Sequence, residues 1–424
     1  MILDGFDLVV IGAGLSGLVA AAGAAEAGKK VLLVAKGAGA VELSSGCIDL
    51  WGYCLDRPER VCRRPLEEIA ALVAADPGHP YAKARDVLEE SLAFFRRVTA
   101  AAGCPYLENR GENWLLPTAL GTVRPTYLAP ASMAAASLEG AKGILVAGFR
   151  ELKDFCPEML VANLPGSLAL SPGCRLSAVV IAAGGGELAP NALARYLERP
   201  EVLAGVIGRI KPHLSPGWVV LFPPVLGERR NAAVVRNLAE GLGCPVYEVA
   251  GIPPSLPGRR LRNALLDYFQ KLQGKVIIGP AVTRAKVSGG RCLEVTASGA
   301  AGTLRIRGRA FVLATGSFLG GGLRAEPGGR ITEPVFDLPV TAAGGDWAEE
   351  DFFSPGGHPF SRFGITVNER LQPLDDRGQV VIENLLVVGA NLAGGNHPVE
   401  KCGGGVAVAT GYKAGRLSAK GVGR

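Results

Sequence analysis

Residues 7–36 read DLVVIGAGLSGLVAAAGAAEAGKKVLLVAK and decide the fold. The runs Leu8–Ile11 and Val31–Val34 are continuously apolar, which is the pattern of strands buried on both faces of a parallel sheet. Between them lie a glycine-rich turn of GxGxxG spacing and an Ala- and Leu-rich helical segment. A GxGxxG that leaves a strand and opens a helix predicts a βαβ unit that binds a nucleotide.

The three glycines of this turn have separate roles in such a unit. Gly12 allows the tight turn, Gly14 lets a pyrophosphate approach the backbone, and Gly17 lets the helix pack closely on the strand. The phosphate would lie on unpaired N–H groups at the positive end of the helix. We therefore predict a cofactor-binding segment made of Gly12, Ala13, Gly14, Leu15, Ser16 and Gly17.

The end of the second strand departs from the usual dinucleotide pattern. An Asp or Glu about 20 residues past the glycines normally holds a ribose hydroxyl, but Ala35 and Lys36 stand here. Lys36 is a point charge that suits a phosphate, and we include it among the cofactor-binding residues. Either the nucleotide is held differently, or the ligand is a mononucleotide.

Composition limits the class of protein. A chain of 424 residues suits a two-domain enzyme. Its nine cysteines form no CxxC, so we predict reduced cysteines in a cytoplasmic protein and no metal site. The net charge of +6 mildly favours anionic ligands, and the spread of basic residues argues against nucleic acid. The apolar window Leu8–Ala25 contains four glycines, follows Asp4 and Asp7, and has neither a basic segment before it nor a small-residue cleavage site, so neither a signal peptide nor a spanning helix is expected.

The pattern along the chain predicts an α/β fold. We expect a three-layer, Rossmann-like FAD/NAD(P)-binding domain with a parallel sheet and an antiparallel meander, interrupted by an inserted α/β domain. The predicted binding domain comprises residues 1–57, 259–330 and 384–424, and the predicted insert comprises residues 58–258 and 331–383. Further strands are predicted at Ile144–Phe149, Leu176–Ile181, Trp218–Phe222, Lys275–Ile278, Ala281–Val287, Leu293–Thr296 and Leu304–Ile306. Helices are predicted at Pro65–Ala75, Ala82–Ala102, Arg150–Leu160, Asn191–Leu197, Asn231–Gly241 and Leu261–Leu272.

Three further segments are candidates for cofactor contacts. A buried strand ends in Ala-Thr-Gly at Thr315 and Gly316, as it typically does near the pyrophosphate of flavoproteins. Near the C-terminus another strand precedes Gly389, and a triple glycine opens a helix whose positive end can face a flavin edge. Between Leu43 and Cys47 a small polar turn either passes beside a flavin ring or is an ordinary hydroxyl-rich turn. The predicted residues are Ser44, Ser45, Gly46, Thr315, Gly316, Gly389, Gly403, Gly404 and Gly405.

Two proline-rich loops carry arginines that suit an anion. Asn113–Pro130 contains Arg124, and Ile252–Arg260 ends in Arg259 and Arg260. A guanidinium can bind a phosphate or carboxylate through two parallel hydrogen bonds. The alternative is that these arginines are solvated or cap helices.

Together these segments resemble the B subunits of anaerobic glycerol-3-phosphate dehydrogenases over nearly the whole chain. The resemblance implies a flavoprotein subunit that uses FMN, with FAD as the alternative. It also implies a larger flavoprotein partner subunit and an iron–sulfur subunit that anchors the complex to the membrane and passes electrons to quinone. The chain would then be cytoplasmic and reach the inner face of the membrane only through its partners. The motifs that carry the resemblance are DLVVIGAGLSGL (7–18), LSSGCIDL (43–50), HPY (79–81), LPTALGTVRPTYL (116–128), IPPSLPGRRLRNAL (252–265) and NHPVEKCGGGVAVATGY (396–412).

The implied reaction sets requirements for side chains. Oxidation of the secondary alcohol of glycerol 3-phosphate requires a hydride acceptor, a base for the hydroxyl proton and cations for the phosphate. His358 and His397 lie in loops near the expected flavin edge and are the candidate bases. Arg330, Arg362 and Lys401 are the candidates for the small anionic substrate, and Arg330 joins the two histidines as a candidate catalytic residue.

Three functions remain open at this point. The chain is a flavin-bearing dehydrogenase subunit, a stand-alone flavoenzyme of the fumarate-reductase type, or a non-catalytic interaction subunit with a degenerate nucleotide site. The third is suggested by Ala35. Within a complex, the partner subunit is an alternative place for the dehydrogenation. His79 and His213 fall within the predicted insert, beside prolines, and are weaker candidates for the base.

Overall fold

The computed structural model describes residues 1–57, 59–135, 138–342 and 347–421. The strands are β1 (Ile2–Ile11), β2 (Val31–Ala35), β3 (Tyr106–Glu108), β4 (Trp114–Pro117), β5 (Val123–Thr126), β6 (Leu128–Pro130), β7 (Gly143–Phe149), β8 (Arg175–Ile181), β9 (Trp218–Phe222), β10 (Val246–Glu248), β11 (Lys275–Ile278), β12 (Ala281–Ser288), β13 (Arg291–Gly299), β14 (Gly302–Leu313), β15 (Arg324–Ala325), β16 (Ile331–Thr332) and β17 (Leu385–Val387). The α-helices are α1 (Leu15–Glu26), α2 (Pro65–Ala75), α3 (Leu88–Ala101), α4 (Pro157–Asn163), α5 (Pro190–Leu197), α6 (Pro200–Ile210), α7 (Asn231–Leu242), α8 (Leu256–Lys271), α9 (His397–Glu400) and α10 (Gly403–Lys420).

The described chain divides into two compact units. The first comprises Met1–Val41, Ile48–Ala102 and Arg262–Arg424, and the second comprises Glu42–Cys47 and Gly103–Leu261. Segments 58–102 and 331–383, which the sequence-based boundaries assign to the insert, group with the first unit here. One reason is backbone pairing inside that unit, because Ile365 N–H donates to the Asn391 carbonyl at 2.8 Å. The boundaries drawn from the sequence stay a prediction.

The sheet of the first unit has the strand order β11-β2-β1-β14-β13-β12, and β17 pairs with β14. β11, β2, β1, β14 and β17 run parallel, whereas β12, β13 and the first half of β14 form an antiparallel meander. Leu8–Ile11 and all of β2 are buried, as their continuous apolar sequences predict. The predicted parallel sheet with an antiparallel meander is therefore confirmed.

Helices α1 and α10 of the first unit pack closely because small residues line their contact. A Cβ at Gly411 would lie 2.4 Å from the carbonyl oxygen of Ser16, and one at Gly415 would lie 2.8 Å from that of Ala20. The two helices that open on the glycine motifs are thereby held side by side. Within the described ranges no helix has both the length and the hydropathy that a membrane span requires.

The second unit contains a four-stranded parallel sheet of order β10-β9-β7-β8. β7 and β9 are buried throughout. The predicted strands of the insert are thus present, and the inserted α/β architecture is confirmed. A buried ion pair lies at its edge, where the Arg260 Nη1 and Nη2 atoms lie 2.7 and 3.0 Å from the two carboxylate oxygens of Glu248.

Several predicted boundaries in the second unit were wrong, and prolines explain most of the errors. The predicted helix Arg150–Leu160 begins only at Pro157, because proline favours the first turn of a helix and lacks an N–H for its interior. Helix α8 begins within the loop predicted at Ile252–Arg260, where the Ser255 hydroxyl accepts the N–H of Gly258 at 3.0 Å. The loop predicted at Asn113–Pro130 contains the short strands β4 to β6.

Candidate functional site

The predicted glycine turn lies between β1 and α1 and contacts the end of β14. Gly12 has φ of +115°, and a Cβ there would lie 2.2 Å from the carbonyl oxygen of Ala314. A Cβ at Gly17 would lie 2.1 Å from the Gly12 carbonyl oxygen. The Gly12 N–H donates to the Val34 carbonyl at 2.9 Å, which fixes the turn against β2. Side chains are therefore excluded at both glycines.

Gly14 differs from its neighbours because space lies beside it. A Cβ built on Gly14 meets no described atom within 4 Å. Gly14 is also the N-cap of α1 and gives the helix no side-chain cap, so the first N–H groups of the helix remain for another acceptor. An open cradle beside unpaired N–H groups fits a phosphate group.

The predicted Thr315–Gly316 segment follows β14 and is held by the amide of Asn391. Asn391 is fully buried, its Oδ1 accepts the Gly316 N–H at 2.7 Å, and its Nδ2 donates to the Thr315 hydroxyl at 3.0 Å. Because Ala314 contacts Gly12, the structure brings this segment and the glycine turn together. Asn391 is not among the residues predicted from the sequence. Its signal is a polar amide in the short turn Gly389–Asn391 that follows the buried strand β17.

Gly389 lies beside the first turn of α1. Its φ is +65°, and a Cβ there would lie 2.4 Å from the hydroxyl oxygen of Ser16. Its N–H donates to the Thr410 hydroxyl of α10 at 3.0 Å. Gly389 thus contacts Ser16 of the predicted glycine turn and Thr410 of α10.

The triple glycine opens α10, but one of its N–H groups is already bonded. The Gly405 N–H donates to the Asp49 carbonyl at 2.8 Å, and a Cβ at Gly405 would lie 2.0 Å from the Tyr81 hydroxyl. A Cβ at Gly404 would lie 3.0 Å from the Asp49 backbone nitrogen. The glycines therefore admit close packing at this helix end, and among them Gly403 is near His397.

Two further groups of predicted cofactor-binding residues follow β2 along the chain. Lys36 is exposed just past β2, beside buried Ala35. Ser44, Ser45 and Gly46 belong to the second unit, where the Ser44 hydroxyl accepts the Gly46 N–H at 3.2 Å. A Cβ at Gly46 would lie 2.6 Å from the Pro257 Cβ, so this turn packs on the start of α8.

His397 begins α9 and contacts a buried thiol. Its Nδ1 lies 3.1 Å from Sγ of Cys402, and a Cβ at Gly395 would lie 2.8 Å from its Cε1. Burial lowers the pKa of His397 to about 4, so its imidazole is neutral at pH 7. Burial likewise raises the pKa of the Cys402 thiol well above its usual value, and the nearby Glu400 carboxylate adds to this effect.

Glu400 is the centre of this cluster. Its Oε2 lies 3.2 Å from His79 Nε2, 2.8 Å from the Asn396 backbone nitrogen and 3.2 Å from Cys402 Sγ, while Oε1 lies 3.4 Å from Arg362 Nη1. Burial raises the pKa of Glu400, but these hydrogen bonds and the arginine charge outweigh burial and hold it below its usual value. His79, a weaker candidate from its sequence position, is fully buried here.

His358 is held within its own loop. Its Nδ1 accepts the Glu349 N–H at 3.1 Å, and its Nε2 lies 3.1 Å from the Phe352 carbonyl oxygen. Its ring stacks on Phe360, with centroids 5.6 Å apart. Both ring nitrogens therefore have backbone partners.

Of the three basic residues predicted to bind the anionic substrate, two lie near His397 and one lies in an exposed loop. Arg362 donates to the Gly394 carbonyl at 3.0 Å and reaches Glu400, so it lies beside the His397 cluster. Lys401 links α9 to α10 and has φ of +51°. Arg330 is exposed in the loop between β15 and β16.

The arginines of the two proline-rich loops lie in the second unit. Arg260 is taken up by its buried pair with Glu248. Arg259 lies 3.6 Å from carboxylate oxygens of both Glu42 and Glu228. Arg124 is part of β5, opposite Leu116. For Arg259 and Arg260 the contacts support internal pairing.

The described residues include two groups of potential metal ligands. One is His79, Glu400 and Cys402, whose ligand atoms lie within 4.8 Å of one another, and the other is Cys54, Asp56 and Glu68. In the first group the Tyr81 N–H donates to His79 Nδ1 at 3.2 Å. A neutral histidine that ligates through Nε2 carries its proton on Nδ1, and that proton would face the Tyr81 N–H. The hydrogen bonding therefore favours an ordered network over a ligand set, and the absence of a metal stays a prediction.

Comparison with known proteins identifies relatives over most of the chain. The model of the family described as "FAD binding domain" matches residues 7–406. The B subunit of the anaerobic glycerol-3-phosphate dehydrogenase of Yersinia pseudotuberculosis is 32% identical over 417 residues, which cover 95% of each chain. The B subunit of the Vibrio cholerae enzyme is 32% identical over 96% of this chain and 95% of its own. The probable B subunit of the Halobacterium salinarum enzyme is 33% identical over 98% of both chains.

The solved structures that match the chain are less similar in sequence. The 3-ketosteroid delta1-dehydrogenase of Sterolibacterium denitrificans is 12% identical, with a TM-score of 0.47 over 98% of this chain and 99% of that chain. A variant of the E. coli quinol fumarate reductase is 11% identical, with a TM-score of 0.42 over 99% of this chain and 71% of that chain.

Proposed function

Because the chain belongs to the family of anaerobic glycerol-3-phosphate dehydrogenase B subunits, and to the wider family with the FAD binding domain, we propose that it oxidises sn-glycerol 3-phosphate to dihydroxyacetone phosphate. In this proposal it works as one subunit of a complex and passes electrons to quinone through its partners. The partners are a larger flavoprotein subunit and an iron–sulfur subunit that anchors the complex. The chain then lies in the cytoplasm at the inner face of the membrane.

The observation that carries the proposal is the open cradle at Gly14, in a chain that matches B subunits of anaerobic glycerol-3-phosphate dehydrogenases over 95% of its length. The cradle fits the phosphate of a flavin, and a bound flavin would accept the hydride from the substrate carbon. In the proposal Gly12–Gly17, Thr315, Gly316 and Gly389 hold this phosphate end of the cofactor. Ser44–Gly46 and Gly403–Gly405 are proposed to contact the ring.

We propose FMN as the flavin, with FAD as the alternative. The support is the end of β2, where Ala35 replaces the acid that holds the adenosine ribose of a dinucleotide and exposed Lys36 follows it. Denaturing the purified chain and separating the released flavin by chromatography tests this. Recovery of FMN supports the proposal, whereas recovery of FAD would show that the adenosine is held without that acid.

The chain's own residues would bind the substrate and take its proton. His397 is the proposed base, because neutral imidazole accepts a proton at Nε2, and both ring nitrogens of the alternative base, His358, have backbone partners. Arg362 and Lys401, near His397, are proposed to bind the substrate phosphate. Exposed Arg330 is proposed as a further contact for the anion.

Reconstitution of the complex tests the function. Co-expressed with the partner subunits, the chain should be yellow and support electron transfer from glycerol 3-phosphate to a quinone analogue. Activity of the chain alone on a small acid would instead support a stand-alone flavoenzyme. A colourless chain that still assembles with its partners would support a non-catalytic interaction subunit.

A bulkier residue at Gly14 separates flavin binding from folding. Gly14→Val should keep the fold but weaken flavin affinity about 10–100-fold, because its side chain fills the space beside the helix end and displaces charge-assisted hydrogen bonds of about 1.5–3 kcal/mol. Flavin content after dialysis and the melting temperature measure the two effects.

Gly23→Ala in the same helix is the matched control. A Cβ at Gly23 makes ordinary contacts of 3.9 Å or more, so this variant should keep its flavin and gain about 0.5–1 kcal/mol of stability. Full flavin content in Gly14→Val would show that the phosphate lies elsewhere.

A further inference from the structure

A continuous chain of hydrogen bonds leads from the interior of the first unit to His397. It begins at the Tyr81 backbone N–H, which lies 3.2 Å from His79 Nδ1. His79 Nε2 is 3.2 Å from Glu400 Oε2, which is 3.2 Å from Cys402 Sγ. Cys402 Sγ is in turn 3.1 Å from His397 Nδ1. Each contact is within hydrogen-bond distance for its atoms. The donor and the acceptor of each hydrogen bond therefore follow from those of the bond before it.

The first two links are fixed by a group that can only donate. A backbone N–H has no lone pair to offer, so His79 Nδ1 is the acceptor of the Tyr81 N–H. In neutral imidazole the other nitrogen then carries the proton, and His79 Nε2–H donates to Glu400. The Asn396 N–H donates to the same oxygen at 2.8 Å. The carboxylate of Glu400 therefore acts as an acceptor on every side.

The contact between Glu400 and Cys402 fixes which of the two groups donates the hydrogen bond. Ionised Glu400 has no proton to donate, and hydrogen bonds together with the Arg362 charge keep its pKa low. The Cys402 thiol, which burial keeps protonated, must therefore donate its single proton to Glu400. Its sulfur is left with lone pairs only.

The last link decides the state of His397. Because the Cys402 proton is committed to Glu400, the contact at 3.1 Å requires that His397 Nδ1 carries a proton and donates it to sulfur. The His397 ring is neutral, so Nε2 holds a lone pair. Among the residues that the structure describes, no hydrogen bond is made to this nitrogen.

We propose that Cys402 and Glu400 are positioning residues that hold His397 as its Nδ1–H tautomer and leave Nε2 free to accept a proton. As base, Nε2 would take the proton of the substrate hydroxyl, while the carbon that bears this hydroxyl would give its hydride to the flavin of the proposed function. That role rests on the proposed function, whereas the tautomer follows from the network alone. The thiol neither loses its proton nor changes its oxidation state in this scheme.

The Glu400 carboxylate partly offsets the effect of burial, which disfavours the protonated form of the base. When Nε2 gains a proton, the ring becomes a cation that faces the Cys402 sulfur dipole, with the Glu400 carboxylate behind it. His79 supplies a hydrogen bond to that carboxylate from the other side. In a Ser-His-Asp triad a carboxylate bonds directly to the histidine and fixes its tautomer. Here the Cys402 thiol lies between the carboxylate and the histidine and fixes the tautomer in its place.

Nitrogen NMR of the imidazoles tests the tautomer without any turnover. The chain has four histidines, and the spectrum of His397→Gln assigns the His397 signals. In the purified chain at pH 7, Nδ1 of His397 should resonate as a protonated nitrogen and Nε2 as an unprotonated one. Cys402→Ala should abolish this fixed pattern, and Cys402→Ser, whose hydroxyl can both donate and accept, should restore it. Cys292→Ala, at another buried cysteine of the same unit, should leave it unchanged.

Turnover in the assembled complex supplies the second readout. Cys402→Ala should lower kcat about 10–100-fold, as the loss of an outer residue that orients a functional ligand does, with recovery in Cys402→Ser. An unprotonated Nδ1 in the wild-type chain, or a pattern that Cys402→Ala leaves intact, would overturn the proposal. A fixed tautomer that depends on Cys402 would uphold the positioning role, and unchanged turnover of His397→Gln beside it would overturn only the base assignment.

Discussion

His397→Gln should lower the kcat for glycerol 3-phosphate oxidation by about 10²–10⁴-fold in the assembled complex. Glutamine is similar in reach and keeps a hydrogen-bond donor, but it cannot accept a proton at neutral pH. Steady-state assays with a quinone analogue measure the change, and flavin content should stay at the wild-type value because His397 is not part of the glycine turn.

The pH dependence of kcat/KM in the wild-type complex tests the same base. Burial lowers the pKa of His397 to about 4, below the value near 6.5 of free imidazole. The base is protonated, and so inactive, below its pKa. The fall in kcat/KM that belongs to this group should therefore appear as the pH falls through about 4, and it should be missing in His397→Gln.

Variants of the other histidines distinguish the alternatives. His213 is exposed in the second unit, so His213→Gln should leave kcat unchanged. Loss of activity in His358→Gln, together with an active His397→Gln, would move the base to His358. Full activity in both variants would place the proton transfer in the partner subunit.

Arg260→Met should destabilise the chain by about 3–5 kcal/mol, because it leaves the Glu248 carboxylate buried without its counter-charge. Glu248 is fully buried at its side chain, and Arg260 is nearly so. Arg260 also donates from Nε to the Gly227 carbonyl at 2.7 Å. The free energy of unfolding from urea titration, followed by circular dichroism, measures the loss.

The adjacent arginine provides the matched comparison. Arg259 has a side chain that is 34% exposed, and its ion pairs are 3.6 Å long. Arg259→Met should therefore cost about 1 kcal/mol or less. Equal losses in the two variants would contradict the claim that burial of the Arg260 pair sets the cost.

The sequence predicted the strands best where every residue of a strand is buried. β1, β2, β7 and β9 could be predicted because strands buried on both faces are apolar at every position. β5 and β6 could not, because each contains a proline, which disfavours the interior of a sheet but is tolerated in a two-stranded ribbon.

In the candidate site, too, local motifs could be predicted and long-range contacts could not. The glycine turn is a local motif and was identified, and its contact with the Thr315 segment is observed. Asn391 was missed, because its amide acts on residues about 75 positions earlier. His79 was undervalued, because it meets Glu400 across 321 positions. Such pairings depend on the tertiary fold, and no spacing rule in a single sequence reveals them.

The placement of β1 beside β14 has a consequence for biosynthesis. β1 is complete at residue 11, but β14 ends only at residue 313, so at about 5–20 residues per second the nascent strand waits roughly 15–60 s for its neighbour. The sheet of the second unit, from residue 143 to residue 248, is translated entirely within that delay. The second unit can therefore complete its core on the ribosome first, while β1 waits for the strand that lies beside it in the finished sheet.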